Sequence, residues 1–368
     1  MNRVSDMDQI VQALGLINSF RIDGLTGSAN PTSGARLNLQ GGLESLSLTA
    51  KDGDDPGIDI HSHGFGIDNL SLPTPQDPAV ALDPYLSHIQ VDLRAPLYKR
   101  LAEFAKESLL EEFYKVINRV VLRRLHTAVR LTSRKIAHVD ITLDHVHLQC
   151  DAEELIRVKD LSVSILDYNT KLPPKEAQKA CRVVLRSLTV EIEQAFFEKV
   201  LEASKPKIPP FVKNLHVELP GPKMIVGGNI KKGILGTSFR ADLQLETKND
   251  LFGIYFDRFY VPGTNMKLPD MARNLLLGTI RTFVEKRMKG LIEVSNESLR
   301  INPWSKVPVE LLTHVSKFAV EDGKIVVSFD EPTDREVPPG ADEYALASER
   351  EPQIGDIQEV LAPGPALL

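Results

Sequence analysis

The chain has 368 residues, 42% hydrophobic and 26% charged, with a formal net charge of −6. That composition supports a folded core, and the absence of a basic excess excludes a dedicated nucleic-acid binder. Two cysteines, Cys150 and Cys181, form no C-x-x-C pair, which excludes a disulfide framework or a cysteine metal site.

The opening MNRVSDMDQIVQALGLINSF lacks the charged start and apolar run of a secretory leader. No long uninterrupted apolar window suits a membrane span. The sequence therefore predicts a cytoplasmic protein, peripheral where it meets a membrane. Residues 1–84 read as a strand-rich portion. RLNLQGGLESLSLTA and IDNLSL alternate apolar and polar residues, the mark of strands with one dry face. Between them, Ile58-Asp59-Ile60-His61-Ser62-His63 matches the metal-binding His-x-His of an amidohydrolase barrel strand. A metal-dependent amidohydrolase-like enzyme is therefore one alternative function. Such a barrel needs eight strands each followed by a helix, and this chain shows no such order. The expectation is that Ile58 and Ile60 face inward while Asp59, His61 and His63 share a solvated face. His145-Val146-His147, with His138 nearby, takes the same reading. No G-x-S-x-G elbow or phosphate loop is present, so no catalytic residue, metal ligand or cofactor is assigned.

Residues 85–330 form the expected body. After the strand LSHIQVDL, Pro96 opens a helical period through Leu97, Leu101, Ala105, Leu109, Phe113, Val116 and Val120. Arg119, Arg123, His126, Arg130 and Arg134 follow at spacings of 4, 3, 4 and 4. They predict a cationic helix stripe, either a solvated face pairing with local acids such as Glu111 and Glu112 or, through Arg119, Arg123, Arg130 and Arg134, a contact with an anionic membrane surface or acidic partner. Further strands are read at HVDITLDHVHL, DLSVSIL, TSFRADLQLE, IYFDRFYV and GKIVVSF. A second helix is predicted after KLPPKE, through Ala180, Val184, Leu188, Ile192, Phe196 and Val200. A third follows KLPDMA, through Leu276, Ile280, Val284, Met288 and Leu291. Each helix would last roughly 25 to 35 residues, longer than the usual globular length.

A shift of 96 lays Lys171-Leu172-Pro173 on Lys267-Leu268-Pro269, and the second helix stripe on the third. VKNLHVELPGPKMIV also lies on VSKFAVEDGKIVVSF, pairing Leu215 with Phe318, Val217 with Val320 and Ile225 with Val326. These matches predict an internal repeat. Together the elements predict an α+β fold of repeated units, each a long helix packed on a curved antiparallel sheet.

The order of elements over about residues 137–330 resembles the tubular lipid-binding (TULIP) superfamily, closest to its bacterial phospholipid-binding members. The resemblance rests on VGGNIKKGILGTSFRADLQLE, on FGIYFDRFYVPG leading into the helix after KLPD, and on SLRINPWSKVPVELLTHVSKFAVEDGKIVVSF. It implies non-enzymatic binding or transfer of a lipid or similar apolar ligand in an elongated groove. The expected lining is Val184, Leu188, Ile192, Phe196, Ile280, Val284 and Met288. The other alternative is a protein-interaction scaffold whose stripes are fully packed. Residues 331–368 are acidic and proline-rich. From Asp330 onward ten Asp/Glu face two Arg, which predicts a disordered tail able to meet a protein partner.

Overall fold

The computed structural model describes residues 17–32, 36–52, 55–72, 79–93, 116–132, 135–232, 235–248, 251–264, 266–287, 292–295, 298–302 and 310–331. The chain separates into two units, Met1–Glu331 and Pro332–Leu368. The expected disordered tail lies outside the described residues beyond Glu331. So does the helical period from Leu97 to Phe113.

The first unit is built from strands. A 12-stranded sheet contains β1 (Ile17–Asp23), β2 (Thr26–Thr32), β3 (Arg36–Asp52), β4 (Asp55–Ser71), β5 (Val80–Leu93), β6 (Arg119–Leu131), β7 (Ile136–Cys150), β8 (Glu153–Asn169) and β9 (Arg182–Glu193). It is completed by β16 (Glu310–Leu312), β17 (His314–Glu321) and β18 (Lys324–Asp330). From β3 to β9 each strand pairs antiparallel with the next in sequence, and β18 and β17 extend the sheet beyond β9. A 6-stranded sheet holds β10 (Val212–Glu218), β11 (Met224–Lys232), β12 (Leu235–Lys248), β13 (Leu251–Tyr260), β14 (Ile292–Val294) and β15 (Ser298–Ile301). Among the described residues the α-helices that can be bounded are α1 (Pro174–Ala180), α2 (Gln194–Ser204) and α3 (Asp270–Arg287). Among the described residues no helix is long and apolar enough to cross a membrane.

Among the described residues strand takes 71% and helix 13%, which overturns the expected repeat of long helices on a curved sheet. All eight sequence-predicted strands fall on strands. The error lies in the helical stripes, and its cause is arithmetic. Residues four apart share a face in a helix of period 3.6, and they share one equally in a strand of period 2. Val184, Leu188 and Ile192 are such a set, and the β-branched stretch RVVLRSLTVEIE around them is β9. Of that stripe Phe196 and Val200 are helical, on α2, and Ala180 is the last residue of α1. The third stripe begins as predicted on α3, which covers 18 residues.

The repeat therefore fails where it aligns β9 with α3. The second sequence match falls on two hairpins, β10–β11 and β17–β18. Each has a bulge in its first strand, between Lys213 and His216 and between Val315 and Lys317. Val217 and Val320, paired by the sequence match, are both buried in the same core. The boundary placed at residue 84 falls inside β5, whose pairings with β4 and β6 continue on both sides of it.

The two sheets pack through β9, β17 and β18. Leu185, Val315, Ile325 and Phe329 of the large sheet meet Val217 and Leu245 of the small one and Leu219 just after β10. Helix α2 buries Phe196 against Leu155 and Ile156 of β8 and against Val116 and Ile117. Pro269 precedes α3, whose Ala272 and Leu276 pack on Ile230 and Phe239 of the small sheet. These contacts close the β8–β9 end of the large sheet and fix its long strands as a platform.

Candidate functional site

The candidate site is the large sheet itself, because its register sorts side chains into rows that run across many strands. One row joins Leu48, Ile60, Val91, Val120, Leu148, Ile156, Ile192, Ile325 and Val320, each paired with the next. It is apolar on nine consecutive strands. The row two residues along each strand runs Leu46, Ser62, Ile89, Leu122, Val146, Val158, Val190 and Val327, with Ser62 its one polar member. Ser62 is buried, and its hydroxyl donates to the His88 carbonyl at 3.0 Å.

Beyond these rows the sheet carries a crease. Gly64 of β4, Arg124 of β6 and Asp160 of β8 have φ of 64°, 53° and 56°. They lie at one level, since Phe65 pairs Leu86, Leu125 pairs Leu143, and Leu143 pairs Leu161 on its far side. Left-handed backbone costs an L-residue roughly 1–2 kcal/mol, so its recurrence on alternate strands needs a return. The return is a change of phase. On β6 the apolar residues shift from Val120 and Leu122 to Leu125 and Val129; on β8 they shift from Ile156 and Val158 to Leu161 and Val163. Leu161, Val163 and Val190 all pack against one core, which shows that the same face stays apolar through the crease. A third row, Leu43, Phe65, Leu86, Leu125, Leu143 and Leu161, continues it.

Part of this face is closed and part is not accounted for by the cores. Val190 and Ile192 belong to the inter-sheet core, and Val120 and Leu148 pack at the α2 cluster. Ile60, Ile89, Val91, Leu122 and Val146, on β4 to β7, belong to none of the core clusters of the described residues. They are half-buried.

The opposite face is polar and holds the histidines. Ser45, His63, His88, Arg123, His145 and Lys159 form one cross-strand row. Ser47, His61, Gln90, Val121, His147, Arg157 and Glu191 form the next. The His63 and His88 rings stack with centroids 4.5 Å apart. Burial, together with the nearby His63 and Arg123, holds His88 below its ordinary value. His61 contacts the Ser47 hydroxyl at 3.3 Å. Nδ1 of His145 is buried with no hydrogen-bond partner among the described residues.

Acidic groups on this face are bound to cations. Asp92 accepts from Arg119. Glu154 accepts from Arg157 at 2.6 Å and lies 3.1 Å from His147. Glu191, only 8% exposed, accepts from Lys159 and from Lys324 at 3.1 Å. Burial pushes the Glu191 carboxyl up, but these hydrogen bonds and charges outweigh it and hold it below the ordinary carboxylate range. Glu154 is held down in the same way by Arg157 and His147.

His61 and His63 are exposed, as the alternation predicts, whereas Asp59 is buried. The strand carrying them is antiparallel to both neighbours and belongs to no eight-stranded strand–helix barrel. Among the described residues no three His, Cys, Asp or Glu side chains form a group able to hold a metal.

The predicted cationic helix stripe is corrected to a strand. Arg119, Arg123, His126 and Arg130 lie on β6, and Arg134 falls outside the described residues. The spacing of 3 between Arg123 and His126 spans the left-handed Arg124, so the stripe is one strand face crossing the crease. Arg119 pairs with Asp92 and Arg130 with Asp83, while exposed Arg123 has no carboxylate within ion-pair distance among the described residues.

Of the expected ligand-lining residues, Val184 is buried at 2% exposure on β9. Leu188 and Ile192 pack into the inter-sheet core, and Phe196 into the α2 cluster. Ile280 and Val284 fall within α3, with side chains outside the described set, and Met288 lies outside it altogether. The residues that reasoning missed are the half-buried apolar ones of β4 to β7. Their signal was present as apolar pairs three apart at one level of successive strands, Leu86 and Ile89, Leu122 and Leu125, Leu143 and Val146. Comparison with family models, with curated proteins and with solved structures gives no match.

Proposed function

We propose that the protein binds a lipid or similar elongated apolar molecule, without catalysis, along the apolar face of β3 to β7. The observation that carries this reading is the set of apolar rows crossing the sheet, in which Ile60, Ile89, Val91, Leu122 and Val146 on β4 to β7 join no core cluster of the described residues. With strands about 4.8 Å apart and about 3.3 Å per residue, this part of the face measures roughly 20 Å by 45 Å. Each acyl CH₂ taken out of water onto such a surface gains about 0.8 kcal/mol. The left-handed residues fit this role, because they keep a single apolar track running the length of strands that would otherwise change face.

The test is uptake of a fluorescent acyl probe by the parent and by Ile89→Lys/Leu122→Lys. The two residues are cross-strand partners at the centre of the track. Uptake is expected to fall by roughly tenfold or more, since two ammonium groups must be desolvated or displaced. The denaturation midpoint should stay near that of the parent, because both positions are half-buried. A parent that takes up no probe, or a double variant that takes it up as well as the parent, contradicts the reading.

A further inference from the structure

We propose that two copies of the chain pair through β1, edge to edge and antiparallel, about a two-fold axis that sets Ile22 opposite Ile22 of the second copy. The pairing does not depend on what the apolar track holds. β1 ends the order of the large sheet and pairs only with β3 among the described residues. Its Ser19, Arg21 and Ile22 are exposed, as is Leu25 just beyond it at 81%. An edge strand with open N–H and C=O groups is a template for another strand.

The ladder shows which groups are open. The Glu44 N–H donates to the Gly24 carbonyl at 3.3 Å. Alternate residues of an antiparallel strand turn their backbone groups to the same side. Gly24 and Ile22 therefore turn theirs to β3, while Ser19, Arg21 and Asp23 turn theirs outward. β2 continues the same register on β3, since Ile22 pairs Leu46 and Pro31 pairs Leu37. Pro31 thus stands at an outward position, where it has no N–H to offer, and a proline there blunts an edge. Gly24, with φ of 66°, separates the two strands. The edge able to accept a partner is β1.

Charge selects both the partner and the register. Arg21 and Asp23 pair with Ser47 and Ser45 on the polar face and are bonded to each other at 2.7 Å. With the axis at Ile22, Arg21 of each copy stands opposite Asp23 of the other, and the charges alternate in sign. Their outward backbone groups form the hydrogen-bonded pairs of the new ladder. Moving the axis to Arg21 or Asp23 sets like charges face to face, which destabilises a strand pair. Moving it to Phe20 sets Arg21 opposite Ser19 and Asp23 opposite Ile17, and no charge is matched. The strand is complementary to itself, as a two-fold interface requires. Residues opposed across a ladder point to one face of the sheet. Ile22, paired with Leu46 at the head of an apolar row, therefore joins the apolar faces of the two copies.

Seven residues of strand span about 23 Å, an interface at the small end of the range. Half-dissociation is expected at roughly 1–100 µM. Sedimentation equilibrium of the full chain from about 0.5 to about 500 µM tests this. The weight-average mass should rise from that of one chain toward that of two. Arg21→Asp and Asp23→Arg should each weaken association about tenfold or more. An equimolar mixture of the two variants should associate as the parent does, because acid then faces base at both positions. That recovery also reports that both variants are folded. Ile22→Cys should crosslink two copies under mild oxidation more fully than the parent, since the opposed residues lie about 4.5 Å apart. A parent that stays one chain throughout the range, single variants that associate as the parent does, a mixture that fails to recover, or an Ile22→Cys chain that does not crosslink would overturn the proposal.

Discussion

Leu155→Ala is expected to lower the free energy of unfolding by about 2–5 kcal/mol, read from the urea midpoint. Leu155 is fully buried, at 0% exposure. It packs where three parts of the chain meet, with Val116 and Ile117 before β6, Ile156 on β8 and Phe196 on α2. Truncation removes the transfer energy of the lost carbons and leaves a cavity that three tethered elements cannot easily fill. Leu122→Ala, on the same sheet but half-buried and in no core cluster, should cost less than half as much. Equal costs at the two positions would show that the β4 to β7 face is packed as tightly as the α2 cluster.

Glu191→Gln should destabilise by about 2–3 kcal/mol at neutral pH. The carboxylate is 8% exposed and receives Lys159 and Lys324, with Arg157 at 3.7 Å. The amide keeps the shape but removes the charge that offsets three cations. Removing one partner of a buried pair costs more, but the two lysines keep 31% and 24% of their side-chain exposure and can recover some hydration. The pH dependence follows from the direction of the shift. Glu191 is held below its ordinary 4.5 in the folded protein, so its contribution is complete above that value. It is lost as pH falls through the folded value. Parent and variant stabilities should therefore converge below pH 4.5, and a constant gap down to acid unfolding would contradict the assigned role.

The strands were legible because their alternation is local. β3, β5, β7, β8, β12, β13 and β18 can each be read from period-2 pattern and β-branched content. β9 was not, because Val184, Leu188 and Ile192 satisfy the helical and extended periods together. The 4, 3, 4 spacing of Arg119, Arg123, His126 and Arg130 mimics a helix for a subtler reason. A left-handed residue at Arg124 changes the phase of a strand by one, and a strand with one phase change has the same spacings as a helix face. The solvated pair His61 and His63 was read correctly from one strand. The row linking His63 to His88, Arg123 and His145 needed the register of four strands, which no single segment encodes.

The apolar track is tested most directly by native mass spectrometry of the purified protein, followed by organic extraction of what it carries. The account predicts protein ions with bound mass in the range of a lipid, released on extraction, and absent or much reduced in Ile89→Lys/Leu122→Lys. Protein that flies only at its own mass after incubation with lipid vesicles, with nothing in the extract, would contradict the proposed function.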